Sequence, residues 1–307
     1  MRITNSMVSH SLIKNLNANL QKMNKYQTQL LMNTKITKLS DDPVGAAISL
    51  QTRSSLQRTE QYKKNAEDAR TLLAFTETAL MDISDYLSRA YELTVFASND
   101  TNNVTDKDDI ALEIKQIMEH CIDTLNSTCK GQYLFGGKNI SKAPFTYTGG
   151  EILYNGVNIL SGDPSVLAAF KNETVVYRLG KDLDMDVSVN GLKAIGYGPD
   201  NILSMLSDIE NALKNDLPVR EFVGKLNNAK EHITSLVSEI GGKYNRLEDL
   251  ISRYEDDWYN YKEIQASIEG IDEAEVITQL KLQEAVYRTA LAVGAGAIQP
   301  SLLDFLK

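Results

Sequence analysis

The stretch Val223 to Ile268, VGKLNNAKEHITSLVSEIGGKYNRLEDLISRYEDDWYNYKEIQASI, decides the fold. Steps of three and four connect Val223, Leu226, Lys230, Ile233, Val237, Ile240, Tyr244, Leu247, Ile251, Tyr254, Trp258, Tyr261, Gln265 and Ile268, and only Lys230 and Gln265 among them are not apolar. That spacing places them on one stripe of a helix, a heptad seam. Such a helix runs about 75 Å at roughly 1.5 Å per residue, whereas a compact chain of this length has a radius of gyration of about 19 Å. A rod is expected, and a rod of long helices points to assembly rather than to a substrate pocket.

Upstream the same periodicity returns. Ile13, Leu16, Leu20, Met23 and Leu30, flanked by Leu12 and Tyr26, make residues 9 to 34 amphipathic. At Ser40-Asp41-Asp42-Pro43 the chain turns: Asp42 suits an N-cap and Pro43 the first helical position, where its missing N–H costs nothing. A second helix is expected to about Ser98, with Ala66, Ala69, Leu73, Leu80, Ile83, Leu87 and Ala90 inward. After a polar loop, Asn99 to Thr105, a third carries Ile110, Ile114, Ile117, Cys121 and Leu125 on one side.

At Gly131 the helical pattern stops. Gly136-Gly137, Gly149-Gly150, Asn155-Gly156 and Asn190-Gly191 read as turns, and Thr174 to Tyr177 and Val187 to Val189 as strands. Helix resumes after Asn201 with Ile202, Leu206, Ile209 and Leu213. The fold class is therefore mainly α with a β-rich inserted module, the N- and C-terminal regions forming a long antiparallel helical rod or coiled-coil bundle that displays the module at its far end. The expected divisions are an N-terminal assembly segment 1–42, rod halves 43–130 and 201–270, the module 131–200 and a C-terminal assembly segment 271–307.

Composition restricts function. With 32 basic and 41 acidic residues, a net charge of -9 and no basic block, the chain is not expected to bind nucleic acid. No secretory signal is visible in residues 1–20, and the longest apolar run, Ala290 to Ile298, is too short to span a membrane. Those signals alone would place the chain in the cytoplasm unless export takes another route. Cys121 and Cys129, read as lying on one helix about 12 Å apart along its axis, are expected to be unpaired thiols. His10, His120 and His232 lack ligands at metal spacing, so no metal or cofactor is expected. Asp182, Asp184 and Asp186 fail as a calcium loop because Val187 stands where Gly is needed and Lys193 where Glu is needed. They fit a charged strand face, with a glycosidase-like pair as the distant rival. Gly294 and Gly296 lack the strand of a dinucleotide fingerprint and read as close helix packing. For Gly241-Gly242 a bend or a close helix crossing is expected.

The two ends are the distinctive part. Leu280, Tyr287, Leu291 and Ile298 continue an apolar stripe, and Leu302, Leu303, Phe305 and Leu306 follow. Burying one such side chain is worth about 1.5 to 3 kcal/mol, so both terminal stripes need cover, from the protein's own core or from neighbouring copies. Leu87 lies on the inner face of its helix, while Arg89 and Glu92, three apart on an outward face, suit either contacts to a neighbour or an ordinary surface pair.

Four motifs, Met1-Arg2-Ile3-Thr4-Asn5, Asp41-Asp42-Pro43-Val44-Gly45-Ala46, Gly131-Gln132-Tyr133-Leu134-Phe135-Gly136-Gly137 and Ser301-Leu302-Leu303-Asp304-Phe305-Leu306, closely resemble the hook-associated protein 3 family of bacterial flagella, the hook-filament junction proteins of the flagellin superfamily. The resemblance covers residues 1–137 and 201–307. It also takes in Leu87, Arg89, Glu92, Leu93, Val95, Ala97 and Asn99, which look like the flagellin segment that faces neighbouring subunits. It implies a structural protein rather than an enzyme, exported unfolded by the flagellar type III apparatus without a cleaved signal, held beforehand by a chaperone on its C-terminal region, and assembling outside the cell with itself, hook-associated protein 1 and flagellin. Gly270 departs from the acidic pattern expected there and puts helix continuity at that point in question. Flagellin itself is the nearer rival, opposed by Pro43-Val44 and the Ser-Leu-Leu-Asp-Phe-Leu ending.

Overall fold

The computed structural model describes residues 5–98, 104–148, 151–161 and 164–297. The seam lies within one helix, α7 (Arg220–Glu269), and the chain's first long helices are α1 (Asn5–Met32), α2 (Pro43–Ala97) and α3 (Val104–Leu125). α4 (Pro164–Lys171), α5 (Gly191–Ile195) and α6 (Ile202–Lys214) precede α7, and α8 (Glu273–Ala297) follows it. The protein is a mainly α chain with a β-rich insertion and long antiparallel helices from its two ends. Contacts divide it into two compact units, 60–255 and a terminal unit of 1–59 with 256–307.

In the 60–255 unit the apolar stripes close on each other. Leu73, Leu80, Ile83 and Leu87 of α2 are 0% exposed, and Ile114, Leu125, Leu206, Leu226, Ile233 and Leu247 are buried with them in one continuous core. Tyr62 of α2 lies beside Tyr254 of α7, and Lys63 pairs with Glu255 at 2.8 Å. Asn201, as expected of the residue where helix resumes, accepts the Ser204 amide at 2.7 Å and caps α6.

α3 ends at Leu125, well before Gly131, because Asn126 turns aside to hold Phe145 by both backbone groups, accepting its amide at 3.0 Å and donating to its carbonyl at 2.9 Å. Cys129 therefore lies not on a helix but in β1 (Thr128–Cys129), which returns through Lys130 and Gly131, both at positive φ, into β2 (Gln132–Tyr133). Both thiols are free and buried, and burial pushes Cys121 up to about 12. β3 (Phe145–Thr148), β4 (Glu151–Tyr154) and β5 (Val157–Asn158) form an antiparallel sheet. Its second turn is the predicted Asn155-Gly156, with φ of 49° and 85° suited to a tight two-residue hairpin. The expected turn at Asn190-Gly191 is instead the start of α5, with Asn190 as N-cap. A Cβ on Gly191 would stand 2.6 Å from the Phe145 ring, so the helix start is pressed against the sheet.

The last sheet pairs β6 (Val176–Arg178) with β7 (Asp184–Asp186), so the second expected strand, Val187 to Val189, lies just beyond the ladder and is buried. Gly241 and Gly242 stay helical, and a Cβ on either would meet no atom within 4 Å, so of the bend or close crossing expected there the crossing is not made. The helix breaks instead at Gly270, where a Cβ would run into the Ala266 carbonyl oxygen.

In the terminal unit α1 and α8 run antiparallel. Near one end a Cβ on Gly294 would lie 2.6 Å from the Leu12 side chain, which bears out close helix packing at that glycine; at the other, the Lys35 amide donates to the Glu269 carbonyl at 2.7 Å. Leu87→Ala is expected to destabilise the 60–255 unit by about 3 kcal/mol, whereas Ile13→Ala, at a position 51% exposed, should cost under about 1 kcal/mol. Amide exchange on the full-length chain measures both.

Candidate assembly surfaces

The expected interface residues divide by exposure. Ile13, Leu20 and Leu291 are exposed, while Leu16, Met23, Leu30, Leu280 and Tyr287 are half-buried. Ile298, Leu302, Leu303, Phe305 and Leu306, together with Asn99, lie outside the described residues. Further exposed apolar side chains that the stripe reading passed over include Leu31, Met32, Val44, Ile48, Leu282 and Val293. They fall between the steps of the inner stripe, so a search for one seam misses them; they show that these helices carry apolar residues around more than one face.

Among the described residues of the terminal unit, Leu56 is the only large apolar side chain that is buried; its buried companions are Gln29, Ala46, Ser49, Thr52, Thr59 and Glu269. The order here is polar. Asp42 caps α2 by accepting the Gly45 amide at 2.9 Å, as Asp42-Pro43 predicts. A Cβ at position 45 would press on the Asp42 carboxylate and the Ile36 side chain, so a larger residue there would have to displace the cap. Asp41 takes Lys25 and Thr37, each at 3.0 Å, so the elbow is tied back to α1.

Glu269 forms the second tie. Arg53 grips its carboxylate with two hydrogen bonds, 2.7 and 2.8 Å, Gln265 donates at 3.0 Å and the Ser49 hydroxyl donates as well. Gln29 of α1 donates to the Lys35 carbonyl at 2.8 Å, beside the Lys35 amide that bonds Glu269. A single residue at the end of α7 thus holds α2 and the α1–α2 linker. Arg53 holds the Glu269 carboxyl down to about 2, with Ser49 and Gln265 adding to the effect against the opposing pull of burial. Sequence reading missed this cluster because Arg53 and Glu269 are 216 positions apart and each is an ordinary helix residue in its own segment.

On α2, Leu87 is fully buried and Leu93 nearly so, and both pack in the unit's own core. Within the chain these two side chains serve the core, and the exposed members of the expected contact set are Arg89 and Glu92. Arg89 and Glu92 are exposed, but Arg89 is engaged within the chain, by Glu113 of α3 at 2.8 Å and Glu92 at 3.4 Å. Tyr91, Val95 and Phe96 are exposed beside them. Arg89, Glu92, Phe96, Asp106, Asp109 and Glu113 line an open groove of about 620 Å³ between α2 and α3.

The other candidates resolve simply. Asp184 faces Arg178 across the strand pair at 3.7 Å, and Asp186 accepts from the Ser188 amide at 3.2 Å, so this is a paired strand face. His120 stacks on Tyr86 and His232 bonds the Lys193 carbonyl at 2.8 Å. Among the described residues no group of three or more His, Cys, Asp or Glu is placed to hold a metal, and no helix is long and apolar enough to cross a membrane.

Known proteins share this architecture. Residues 3–140 match the bacterial flagellin N-terminal helical region. A flagellin of Clostridium tyrobutyricum is 24% identical over 97% of this chain and 99% of its own. The flagellar hook-associated protein 3 of Escherichia coli strain K12 is 22% identical over 82% of this chain and 83% of its own. In structure, a flagellar hook-associated protein from Vibrio parahaemolyticus covers 75% of this chain and 100% of its own at a TM-score of 0.65 and 18% identity, a likeness of fold. The resemblance drawn from the four motifs is upheld.

Glu269 has a pH signature. A carboxyl whose pKa falls on folding stabilises the fold above its unfolded value and loses that contribution as pH drops toward the folded one. The Glu269 contribution should therefore be complete above about pH 5 and lost between its ordinary 4.5 and about 2. Glu269→Gln should cost the terminal unit about 1 to 2 kcal/mol near neutrality, the half-exposed Arg53 being screened by water. It should also flatten the acid dependence of amide exchange in α1 and α8.

Proposed function

We infer that this flagellin-superfamily chain is a structural axial protein of the bacterial flagellum, joining hook to filament by self-assembly through its terminal helices. The observation that carries the reading is the contrast between its units: the apolar stripes of 60–255 are closed into a core, whereas α1 and α8 keep Ile13, Leu20, Leu282, Leu291 and Val293 in water. Each is about one-third to two-thirds exposed and so forgoes a corresponding part of the about 1.5 to 3 kcal/mol of full burial, which copies packed side by side would recover. The proteins it resembles are structural, and no catalytic role is proposed for the paired Asp184 and Asp186.

Export by the flagellar type III route is proposed from the likeness to flagellar proteins. Exposed Ile277, Leu282, Val286 and Val293 on α8 would suit a chaperone that covers the C-terminal region before export. Hook-associated protein 1 on one side and flagellin on the other are the proposed neighbours, and Arg89, Glu92, Tyr91 and Phe96 are the proposed contact patch of α2. The near full-length likeness to a flagellin keeps the filament subunit as a second reading. A junction protein is expected at low abundance in sheared filaments, a filament subunit as their bulk.

Cells lacking this chain should show hooks without filaments by electron microscopy, and deletion of 301–307 should leave the 60–255 unit folded while abolishing motility. Normal filaments in the first case, or normal swimming in the second, would overturn the assignment.

A further inference from the structure

The terminal unit combines two features that do not ordinarily occur together. Its helices carry repeated apolar residues at similar spacing, and its interior is nearly devoid of large apolar side chains, with Gln29, Ser49, Thr52, Thr59 and Glu269 buried instead. Apolar seams of like residues can slip by a turn with little change in contact, whereas a buried, hydrogen-bonded polar group fits in one alignment and is costly to strand in any other. Glu269 is such a group: 6% exposed, it is gripped by Arg53 and bonded by Ser49 and Gln265, and its backbone carbonyl takes the Lys35 amide. It also sits immediately before Gly270, at the break from which α8 departs.

We propose that the Arg53–Glu269–Ser49 cluster is a register key for assembly, fixing where α8 lies along α1 so that the exposed stripes of both helices meet a second copy of this chain at matched heights. The proposal rests on the assembly function inferred above. Glu269 acts as a positioning residue: its buried carboxylate lies inside the unit, and the stripes it aligns make the contact with neighbours. Its donors come from α2 and α7 and its backbone partner from the α1–α2 linker, so one residue fixes three segments.

Register can be read directly from the far end of the α1–α8 pair. A Cβ at position 294 would stand 3.4 Å from the Cγ of Leu12, the place that the sulfur of a Leu12→Cys variant would take. Leu12→Cys combined with Gly294→Cys should therefore form an intramolecular disulfide in this alignment and fail to do so one turn away. Cys121 and Cys129 are buried in the other unit and do not compete. The experiment oxidises the purified full-length double variant and follows cross-linking by gel mobility, with and without Glu269→Gln, while flagellar incorporation is scored in cells carrying Glu269→Gln alone. Cross-linking should be rapid with Glu269 present and at least about fivefold slower in Glu269→Gln, the change expected for about 1 kcal/mol of lost preference. Ser49→Ala, which removes one donor and keeps the carboxylate, should fall between them, and incorporation should drop while the 60–255 unit keeps its amide protection. Equal cross-linking in parent and Glu269→Gln, or a parent pair that never cross-links, would overturn the register key. Failure of the unsubstituted chain to support flagella would overturn the assembly reading and leave the cross-linking comparison standing.

Discussion

A helix can hide only the stripe that another surface covers, and this chain is organised by where cover is available. Along α7 the apolar seam is unbroken in sequence, but its consequences change along its length. Leu226, Ile233, Ile240 and Leu247 are buried against the 60–255 core, while Tyr254, Trp258, Tyr261 and Ile268 are only half-buried. The periodicity is the same; the number of packed partners is not. The large buried apolar side chains are concentrated in the 60–255 unit, and the terminal unit keeps most of its own exposed.

Where apolar cover is thin, polar chemistry takes over the specification of geometry. The terminal unit is tied at two chain reversals, by Asp41 and Asp42 at the elbow before α2 and by Glu269 at the break after α7. A charge-assisted bond to Arg53, satisfied further by Ser49 and Gln265, offsets the cost of burying a carboxylate. Such a cluster contributes little net stability compared with a core of leucines, but it tolerates only one alignment of the groups that make it. An assembly protein benefits from that division, since its outward apolar faces are then free of the task of defining its own fold.

The β-rich insertion obeys a third rule, local turn chemistry. Lys130-Gly131 and Asn155-Gly156 take positive φ and set tight hairpins, and Tyr154 anchors the sheet by bonding the Phe135 carbonyl and Asn190, each at 2.9 Å. Asn190 in turn caps α5, so the module is held by side-chain hydrogen bonds between segments rather than by long strands.

Local periodicity and turn residues therefore determined the helices, the Asp42-Pro43 start of α2, the inner faces of α2 and α3 and the Asn155-Gly156 hairpin, because each depends on residues a few positions apart. The four motifs likewise carried the family resemblance without any knowledge of contacts. Tertiary structure decided the rest: that α3 stops at Leu125 to let Asn126 hold Phe145, that Asn190-Gly191 begins a helix, that Gly241-Gly242 crosses nothing, and that Leu93 faces inward with Leu87. It alone joined Arg53 to Glu269, since a bond between groups 216 positions apart leaves no local pattern and exists only once the helices that carry them have come together.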